Sequence, residues 1–310
     1  MIRMANVVSL VRTTDSSQSI RDSISKALDL INFQVNKNIK SVVIKPNLAY
    51  YWDSSTGYTT DPRVVAAIID WTRGMFGDVD IKVVEADASA MRTKYVFPAL
   101  GYEKLAKEKS IELFNLSKDV LLDETVHVNG REISFKVPAL LKKCDLFMNV
   151  PKLKIMRAVK ITCAMKNVFG CIGFPKKMIY HKILDEAIVG INKVLHPHLT
   201  IVDGLVGLGR FPAKLGLIMA GTDVVSVDWV ASQIMGYRPS QIKFLKLAVK
   251  EGLGDPHDLR IEGEKLEGFS RAFPKEGFVA SKYLWSVQFW LLNAYRRLSG
   301  DILPPVLDEK

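Results

Sequence analysis

The chain has 310 residues, 48% of them hydrophobic, and this composition excludes a disordered or fibrous protein. The 43 lysine and arginine residues outnumber the 33 acidic residues, which gives a net charge of +10. This charge favours anionic partners, such as phosphorylated or carboxylated metabolites, nucleic acid or an anionic membrane, and does not choose among them.

The three cysteines, Cys144, Cys163 and Cys171, form no C-x-x-C pair. We therefore expect no iron–sulfur cluster or zinc ribbon held by this chain. The N-terminal residues are typical of a first strand and not of a secretory signal, and no apolar run reaches the length of a membrane span. These features together predict a cytoplasmic protein.

Short apolar strands alternate with amphipathic helices along most of the chain. Strands are predicted at residues 6–11, 42–44, 81–84, 111–116, 146–150, 199–202 and 217–219. Helices are predicted to begin near residues 17 and 61 and to cover residues 95–107, 158–169, 183–195, 224–235 and 239–251. The alternation predicts a doubly wound α/β fold, with a mostly parallel sheet and helices on both faces.

Two further segments decorate this predicted fold. The Asn129-Gly130 pair predicts a two-residue β-hairpin within residues 126–133. Residues 1–265 are predicted to form the α/β domain and residues 266–310 a helical tail. Within the tail, residues 283–298 are apolar almost all round, which is typical of a helix docked on the same chain, in a homodimer contact or on a membrane surface.

Polar residues follow four of the predicted strands. Because ligands of parallel α/β sheets bind beyond the carboxyl ends of the strands, these residues are expected to meet in one pocket. The predicted anion-binding residues are Lys45, Asn47, Asn149, Lys152, Lys154 and Asn167. The carboxylates at strand ends, Asp203 and Glu85, could instead hold a divalent metal, whereas Asp223 and Asp228 are as readily explained as an N-cap and a first-turn charge.

Residues 144–182 carry the candidate catalytic groups, Lys166 and His181. On the predicted helix Lys166 shares a face with apolar and small residues, so its ammonium either reaches solvent or enters a pocket. His181 could transfer a proton, bind a metal or cap a helix. No acidic residue lies between Leu146 and Leu184, so the positive charge of this segment lacks a local partner.

Two other motifs admit both a functional and a structural interpretation. Gly204, Gly207 and Gly209 are similar to phosphate-binding glycines, but the Lys-Ser/Thr of a P-loop is absent. Cys163 and Cys171 are either nucleophiles activated by nearby positive charge or small buried hydrophobic residues.

An ordered series of motifs resembles the domain-of-unknown-function family 362 over about residues 5–255. The series is KPN at 45–47, DP at 61–62, VEA at 84–86, NVPKLK at 149–154, TCAMKNVFG at 162–170, His181, IVDG at 201–204 and AGTDVVSVD at 220–228. The resemblance implies an α/β domain of unassigned chemistry, in a family often associated with iron–sulfur proteins. Since this chain lacks cluster cysteines, electron transfer would require a separate ferredoxin-like partner.

Residues 149–170 are also similar to the lysine-bearing segment of the nickel-pincer lactate racemase family. In that family a lysine holds the cofactor covalently, and the matching position here is Lys166. The histidine ligands of the racemases have no matching residues in this sequence. No cofactor is therefore assigned from the sequence, although a divalent metal is compatible with its carboxylates.

Two functions from different classes follow. The first is an enzyme acting on a small carboxylated or phosphorylated anion at the edge of the sheet, with the resemblances favouring an oxidoreductase or an isomerase. The second is a non-catalytic binding protein for nucleic acid or an anionic membrane, which would bind through charge and the aromatic tail. The absence of a nucleic-acid-binding motif makes nucleic acid the less favoured partner.

Overall fold

The computed structural model describes residues 6–35, 38–89 and 91–275. The predicted aromatic helix at 283–298 lies outside these described residues. The boundary predicted at residue 265 falls between β12 (Arg260–Gly263) and α10 (Leu266–Ala272), and α10 packs against the α/β body.

The other strands of the described residues are β1 (Val7–Arg12), β2 (Ser41–Pro46), β3 (Asp80–Glu85), β4 (Glu112–Asn115), β5 (Leu121–Val128), β6 (Arg131–Pro138), β7 (Leu146–Val150), β8 (Lys152–Met156), β9 (Lys160–Thr162), β10 (Leu199–Leu208) and β11 (Pro212–Gly221). The other helices are α1 (Ser17–Leu30), α2 (Pro62–Phe76), α3 (Thr93–Ala99), α4 (Tyr102–Lys109), α5 (Ala139–Lys143), α6 (Ala164–Phe169), α7 (Leu184–Val194), α8 (Val224–Ile234) and α9 (Lys243–Lys250). A 3-10 segment, Lys177–Ile183, leads directly into α7.

The main sheet has the order β12-β1-β11-β10-β7-β2-β3-β4, and β8 and β9 are joined to it through β10. The pairs from β10 through β7, β2 and β3 to β4 are parallel, whereas β11 is antiparallel to both its neighbours. The predicted α/β class with a mostly parallel sheet is confirmed. Its carboxyl edge is where β2, β3 and β7 end.

Alternate residues of the central strands enter two separate hydrophobic cores. Val43 and Phe147 pack with α6, α7 and α8 on one face, while Val42 and Leu146 pack with α1 and α2 on the other. This alternation follows from the two-residue period of a strand, and apolar residues at both parities are required when helices cover both faces.

The predicted β-hairpin is confirmed as a separate two-stranded sheet of β5 and β6. Asn129 and Gly130 adopt φ of 50° and 76°, the positive values that a two-residue hairpin turn of type I′ requires. The hairpin packs against α7, where a side chain at Gly190 would come within 3.0 Å of the Phe135 ring. Glycine at this position therefore permits the close contact.

The predicted helix at 158–169 is wrong in its first half. Val159, Ile161 and Thr162 are β-branched, and residues 160–162 form β9, which pairs antiparallel with β8. The helix α6 begins only at Ala164. The chain thus leaves β7, crosses Pro151 and forms a small hairpin at the edge of the sheet, in which Lys152 and Lys154 are buried.

Gly204 and Gly207 are part of a long strand pair, and Gly209 lies in the turn between its two strands, so these glycines do not form a phosphate-binding loop. Both β10 and β11 are ten residues long, more than twice the predicted length. A Cβ at Gly204 would lie 2.9 Å from the Leu217 Cβ, and one at Gly207 would lie 2.5 Å from the Leu215 Cδ1. Close packing between the two strands explains Gly204 and Gly207, and the close approach of Pro274 explains Gly209.

Candidate functional site

A cavity of about 230 Å³ lies at the carboxyl ends of β2 and β3, between β8, α6 and the 3-10 segment; we call it the lysine cavity. Seven of the ten residues predicted for the site line it. These are Lys45, Asn47, Glu85, Lys154, Lys166, Asn167 and His181. The fold therefore brings together residues that are more than 130 positions apart in the sequence.

Three asparagines form a buried hydrogen-bonded chain along the floor of the lysine cavity. The Asn167 Nδ2 donates to the Asn149 Oδ1 at 2.8 Å and to the Lys45 carbonyl at 3.2 Å. The Asn167 Oδ1 accepts from the Asn47 Nδ2 at 2.9 Å. Asn149 lies beneath the cavity and ties this chain to α6 through the Ala164 carbonyl at 3.1 Å. The asparagines thus fix the relative positions of β2, β7 and α6.

The buried Lys45 forms an ion pair with Glu85. Its Nζ lies 2.7 Å from the Glu85 Oε2 and also donates to the Pro46 carbonyl at 2.6 Å. The carboxylate accepts the backbone N–H of Leu48 and Ala86 at 3.0 Å each. Glu85 therefore has one ammonium and two backbone amides as hydrogen-bond donors, so both of its buried oxygens have a partner.

Lys154 projects from β8 into the lysine cavity. Its Nζ donates to the Asn47 Oδ1 at 2.8 Å and to the Tyr58 carbonyl at 2.7 Å. Burial, followed by repulsion from Lys166 and other nearby lysines, lowers the pKa of Lys154 to about 7. An anion in the cavity would relieve this repulsion.

Two lining residues were missed by the sequence reasoning. Lys177 is buried and donates to the Gly170 carbonyl at 2.8 Å, and burial lowers its pKa to about 8. The Ser89 hydroxyl is buried in the cavity wall without a hydrogen-bond partner among the described residues. The absence of acidic residues between 146 and 184 indicated that a lysine of this segment could face an anion. No local pattern, however, distinguishes the buried Lys177 from the exposed Lys176 next to it.

Lys166 is half-buried, and its Nζ lies 4.2 Å from the centre of the Phe169 ring. No oxygen of the described residues accepts a hydrogen bond from it. Burial and the neighbouring Lys177 and Lys45 lower the pKa of Lys166 to about 7. The sequence left open whether the Lys166 ammonium reaches solvent or enters a pocket. In the structure it lies in the lysine cavity. His181 is exposed at the rim of the same cavity.

The buried Asp228 holds the N-terminus of α6 and thereby sets the position of Lys166. Its two carboxylate oxygens accept the N–H groups of Ala164 at 2.7 Å and Met165 at 3.0 Å. The sequence predicted that Asp228 is a first-turn charge of its own helix, α8. Its main contacts are instead with the N-terminus of α6. Asp223 does cap α8 as predicted, by accepting the Ser226 N–H.

Lys152 and Asp203 lie outside the lysine cavity, contrary to the expectation of a single pocket. The Lys152 Nζ and the Asp203 Oδ1 are 3.1 Å apart, and both side chains are fully buried. The angle between the two groups is unsuitable for a hydrogen bond, so charge attraction holds the pair together. Asp203 also accepts the N–H of Asp61 at 2.8 Å and of Leu205 at 3.0 Å. Lys152 borders a second, larger cavity of about 600 Å³.

Residues 42–233, more than half of the chain, match the model of a protein family described as a domain of unknown function, DUF362. The chain belongs to the DUF362 family. The match contains every residue of the lysine cavity and confirms the family expected from the motifs.

A relative of this DUF362 chain is the thylakoid-associated protein sll1697 of Synechocystis sp. (strain ATCC 27184 / PCC 6803 / Kazusa). It is 27% identical over 226 residues, which cover 69% of this chain and 68% of the relative. The lactate racemase apoprotein from Thermoanaerobacterium thermosaccharolyticum is similar in structure over 74% of this chain, with a TM-score of 0.39 and 10% identity. The chain spans 57% of that structure, and this likeness carries no inference about activity.

The residues of the DUF362 site do not fit a nickel-pincer cofactor. Lys166 lines the cavity, but His181 is the one histidine of the described residues that does so. In the described part of the chain, no three His, Cys, Asp or Glu side chains form a group that could hold a metal ion. The predicted metal ligands Glu85 and Asp203 are separated, and a lysine ammonium neutralises each of them.

The buried thiols of the DUF362 chain are small apolar groups. Cys163 and Cys171 are fully buried. Burial raises the pKa of Cys163 well above its ordinary value and that of Cys171 to about 12. A thiol that stays protonated is a poor nucleophile, so the structural interpretation of these cysteines is the one that fits.

The lowered lysine pKa values predict that the free energy of unfolding rises with pH. The pKa of Lys166 is about 7 in the folded chain and 10.5 ordinarily, so between these values the unfolded chain binds more protons. Urea unfolding at about pH 7.5 and about pH 9.5 should show this rise. Lys166→Met should be more stable than the wild type at the lower pH and show a smaller rise. Lys182→Met, at an exposed position, is the control and should keep the wild-type dependence.

Proposed function

We propose that this protein is an enzyme that acts on a small carboxylated or phosphorylated anion bound in the lysine cavity. The observation that carries the proposal is an imbalance of charge. Four lysines line the cavity, Lys45, Lys154, Lys166 and Lys177, whereas Glu85 is the one carboxylate among the described residues that line it. A small anion would compensate the excess positive charge, and buried charges in proteins are normally compensated.

Unused hydrogen-bond donors support the same proposal. An ammonium group has three N–H donors. Lys45 and Lys154 each use two of them, and Lys177 uses one. Donors are therefore left on three lysines around the cavity for the oxygens of a carboxylate or phosphate.

The proposed roles follow from the contacts of each side chain. Lys45, Lys154 and Lys177 bind the anion, and Asn47 orients Lys154. Asn149 and Asn167 hold the floor of the cavity and contact the substrate less directly than the sequence predicted. Lys166 supplies the reacting amine because no oxygen of the described residues accepts a hydrogen bond from it, and His181 at the rim transfers a proton to or from the substrate. Lys152 and Asp203 have a structural role.

Anion binding can be tested without knowledge of the substrate. Inorganic phosphate, pyruvate and oxaloacetate should raise the melting temperature of the wild type, since each compensates the lysine charges. Lys154→Met should weaken this stabilisation, whereas the exposed Lys182→Met should leave it unchanged. Isothermal titration calorimetry measures the affinities directly. If the anions stabilised wild type and Lys154→Met equally, the anion would not be bound in the lysine cavity.

We propose as a second function a peripheral association with an anionic membrane surface. It is supported by the net charge of +10, by the aromatic segment 283–298 and by the name of the Synechocystis relative, which describes that protein as thylakoid-associated. No helix in the described part of the chain is long and apolar enough to cross a membrane. Cosedimentation with anionic vesicles should fall as salt rises and should be lost when residues 283–298 are deleted. Binding to tRNA or duplex DNA under the same conditions would favour nucleic acid instead.

We propose a reducing compartment, such as the cytoplasm, as the place of action, because the three cysteines are free. A redox reaction would then need electrons from a separate ferredoxin-like protein, as the family resemblance implies. Copurification of an iron–sulfur protein with the native chain would test this link.

A further inference from the structure

Lys166 differs from the other three lysines of the cavity in its contacts. Lys45, Lys154 and Lys177 each donate to at least one oxygen at 2.8 Å or less. Among the described residues no oxygen accepts from the Lys166 Nζ, which faces the Phe169 ring. Its amine is thus the one that a reaction can use without first breaking a hydrogen bond.

The surroundings of this amine favour its neutral form. The centre of the Phe169 ring lies 4.2 Å from its Nζ, and Met91 and Met156 also line the cavity. Positive charge on neighbouring lysines opposes a further positive charge on Lys166. A desolvated amine next to other cations is an arrangement that activates lysine as a nucleophile.

We propose that the Lys166 amine attacks the carbonyl carbon of a small oxo acid and forms an imine, while Lys154 and Lys177 hold the carboxylate. This inference rests on the proposed anion site and names its substrate class. The volume of about 230 Å³ limits the ligand to a small one, and an oxo acid combines the required negative charge with an electrophilic carbon.

The proposed step is balanced and needs no oxidant or reductant. The nitrogen lone pair forms the new C–N bond, and the carbonyl π electrons move to oxygen, which takes up a proton. The nitrogen then loses its protons as the hydroxyl group leaves as water, so that amine and carbonyl give imine and one water molecule. His181 at the rim can protonate the leaving hydroxyl group. The imine, once protonated, withdraws electrons from the neighbouring carbon and favours loss of a proton or of carbon dioxide there.

Reductive trapping tests the proposal on the whole chain. Wild type is incubated with pyruvate or oxaloacetate and sodium cyanoborohydride, and the adduct is located by mass spectrometry of peptides. We expect one dominant adduct, on Lys166, and its complete loss in Lys166→Met. Lys182→Met should retain it. Inorganic phosphate should suppress the adduct on Lys166 and leave slow labelling of exposed lysines unchanged, because phosphate competes for the same ammonium groups.

The pH dependence of trapping gives an independent readout. The Lys166 amine reacts in its neutral form, whereas Lys154 and Lys177, with pKa values of about 7 and about 8, hold the carboxylate in their charged forms. The trapping rate should therefore pass through a maximum at about pH 7 to 8 and fall at higher pH. Labelling confined to exposed lysines would overturn the imine. If calorimetry still shows oxo-acid binding that depends on Lys154, the anion site stands and the imine alone is wrong; if neither binding nor an adduct is found, both proposals fail.

Discussion

Asp203→Asn should lower the free energy of unfolding by about 3–5 kcal/mol, since removal of one partner leaves a buried charge without compensation. The Lys152 ammonium is fully buried, and Asp203 is the carboxylate beside it at 3.1 Å. Asparagine keeps the size of the side chain and can still accept one of the two backbone N–H bonds, from Asp61 or Leu205. The loss therefore comes mainly from the unpaired ammonium. Urea unfolding followed by circular dichroism measures the change.

A second substitution separates charge from packing. In Lys152→Met with Asp203→Asn the buried ammonium is removed as well, so most of the lost stability should return. The exposed pair of Lys214 and Asp15, 3.2 Å apart, serves as a matched control. Its removal by Lys214→Met should change the free energy of unfolding by less than about 1 kcal/mol. A double variant as unstable as Asp203→Asn would show that the backbone contacts of Asp203 dominate.

Asn167→Leu should have the second large effect, a loss of about 3–5 kcal/mol in the free energy of unfolding, because several buried polar groups lose partners at once. Leucine fills a similar volume but leaves the Asn149 Oδ1, the Asn47 Nδ2 and the Lys45 carbonyl without the bonds that Asn167 makes. Anion binding should weaken too, since Asn47 is then free to rotate away from Lys154.

A double-mutant cycle checks that the network is the cause. Asn149→Leu also breaks the bond between the two asparagines, so Asn149→Leu with Asn167→Leu should cost less than the sum of the single changes. Asn6→Ala, which removes a partly buried bond of 3.1 Å to the Asp255 carbonyl far from the cavity, should add independently to Asn167→Leu. Strict additivity of the two leucine variants would mean that the asparagines act separately.

The period of the apolar residues was sufficient to predict the α/β class and most helices, and the Asn129-Gly130 pair predicted the confirmed hairpin. It failed at residues 158–162, where a β-branched run was absorbed into the predicted helix α6. The helix predicted at 95–107 is also broken, at Gly101 with φ of 77°, into α3 and α4. In both places the apolar period suggested one continuous helix, whereas the β-branched residues and Gly101 were the local signals that marked the break.

The sequence was sufficient to predict which residues lie close together where they end a buried strand. Lys45 and Glu85 end adjacent parallel strands, so the sheet alone brings them together. The positions of Lys177 and Asp228 could not be predicted from the sequence. Their contacts, with the Gly170 carbonyl and the N-terminus of α6, form only when helices and loops pack together. No spacing in the sequence encodes such contacts.

The sequence by itself determined the fold class, the family and the set of polar residues at the strand ends, because strand period and motif order are local properties. Only the tertiary structure decided which lysines share a cavity. Lys152 and Lys154 are two residues apart in one strand, yet Lys152 is neutralised by Asp203 and Lys154 joins three other lysines. The charge state of a buried amine is set by distances to groups remote in the chain, and folding alone establishes those distances.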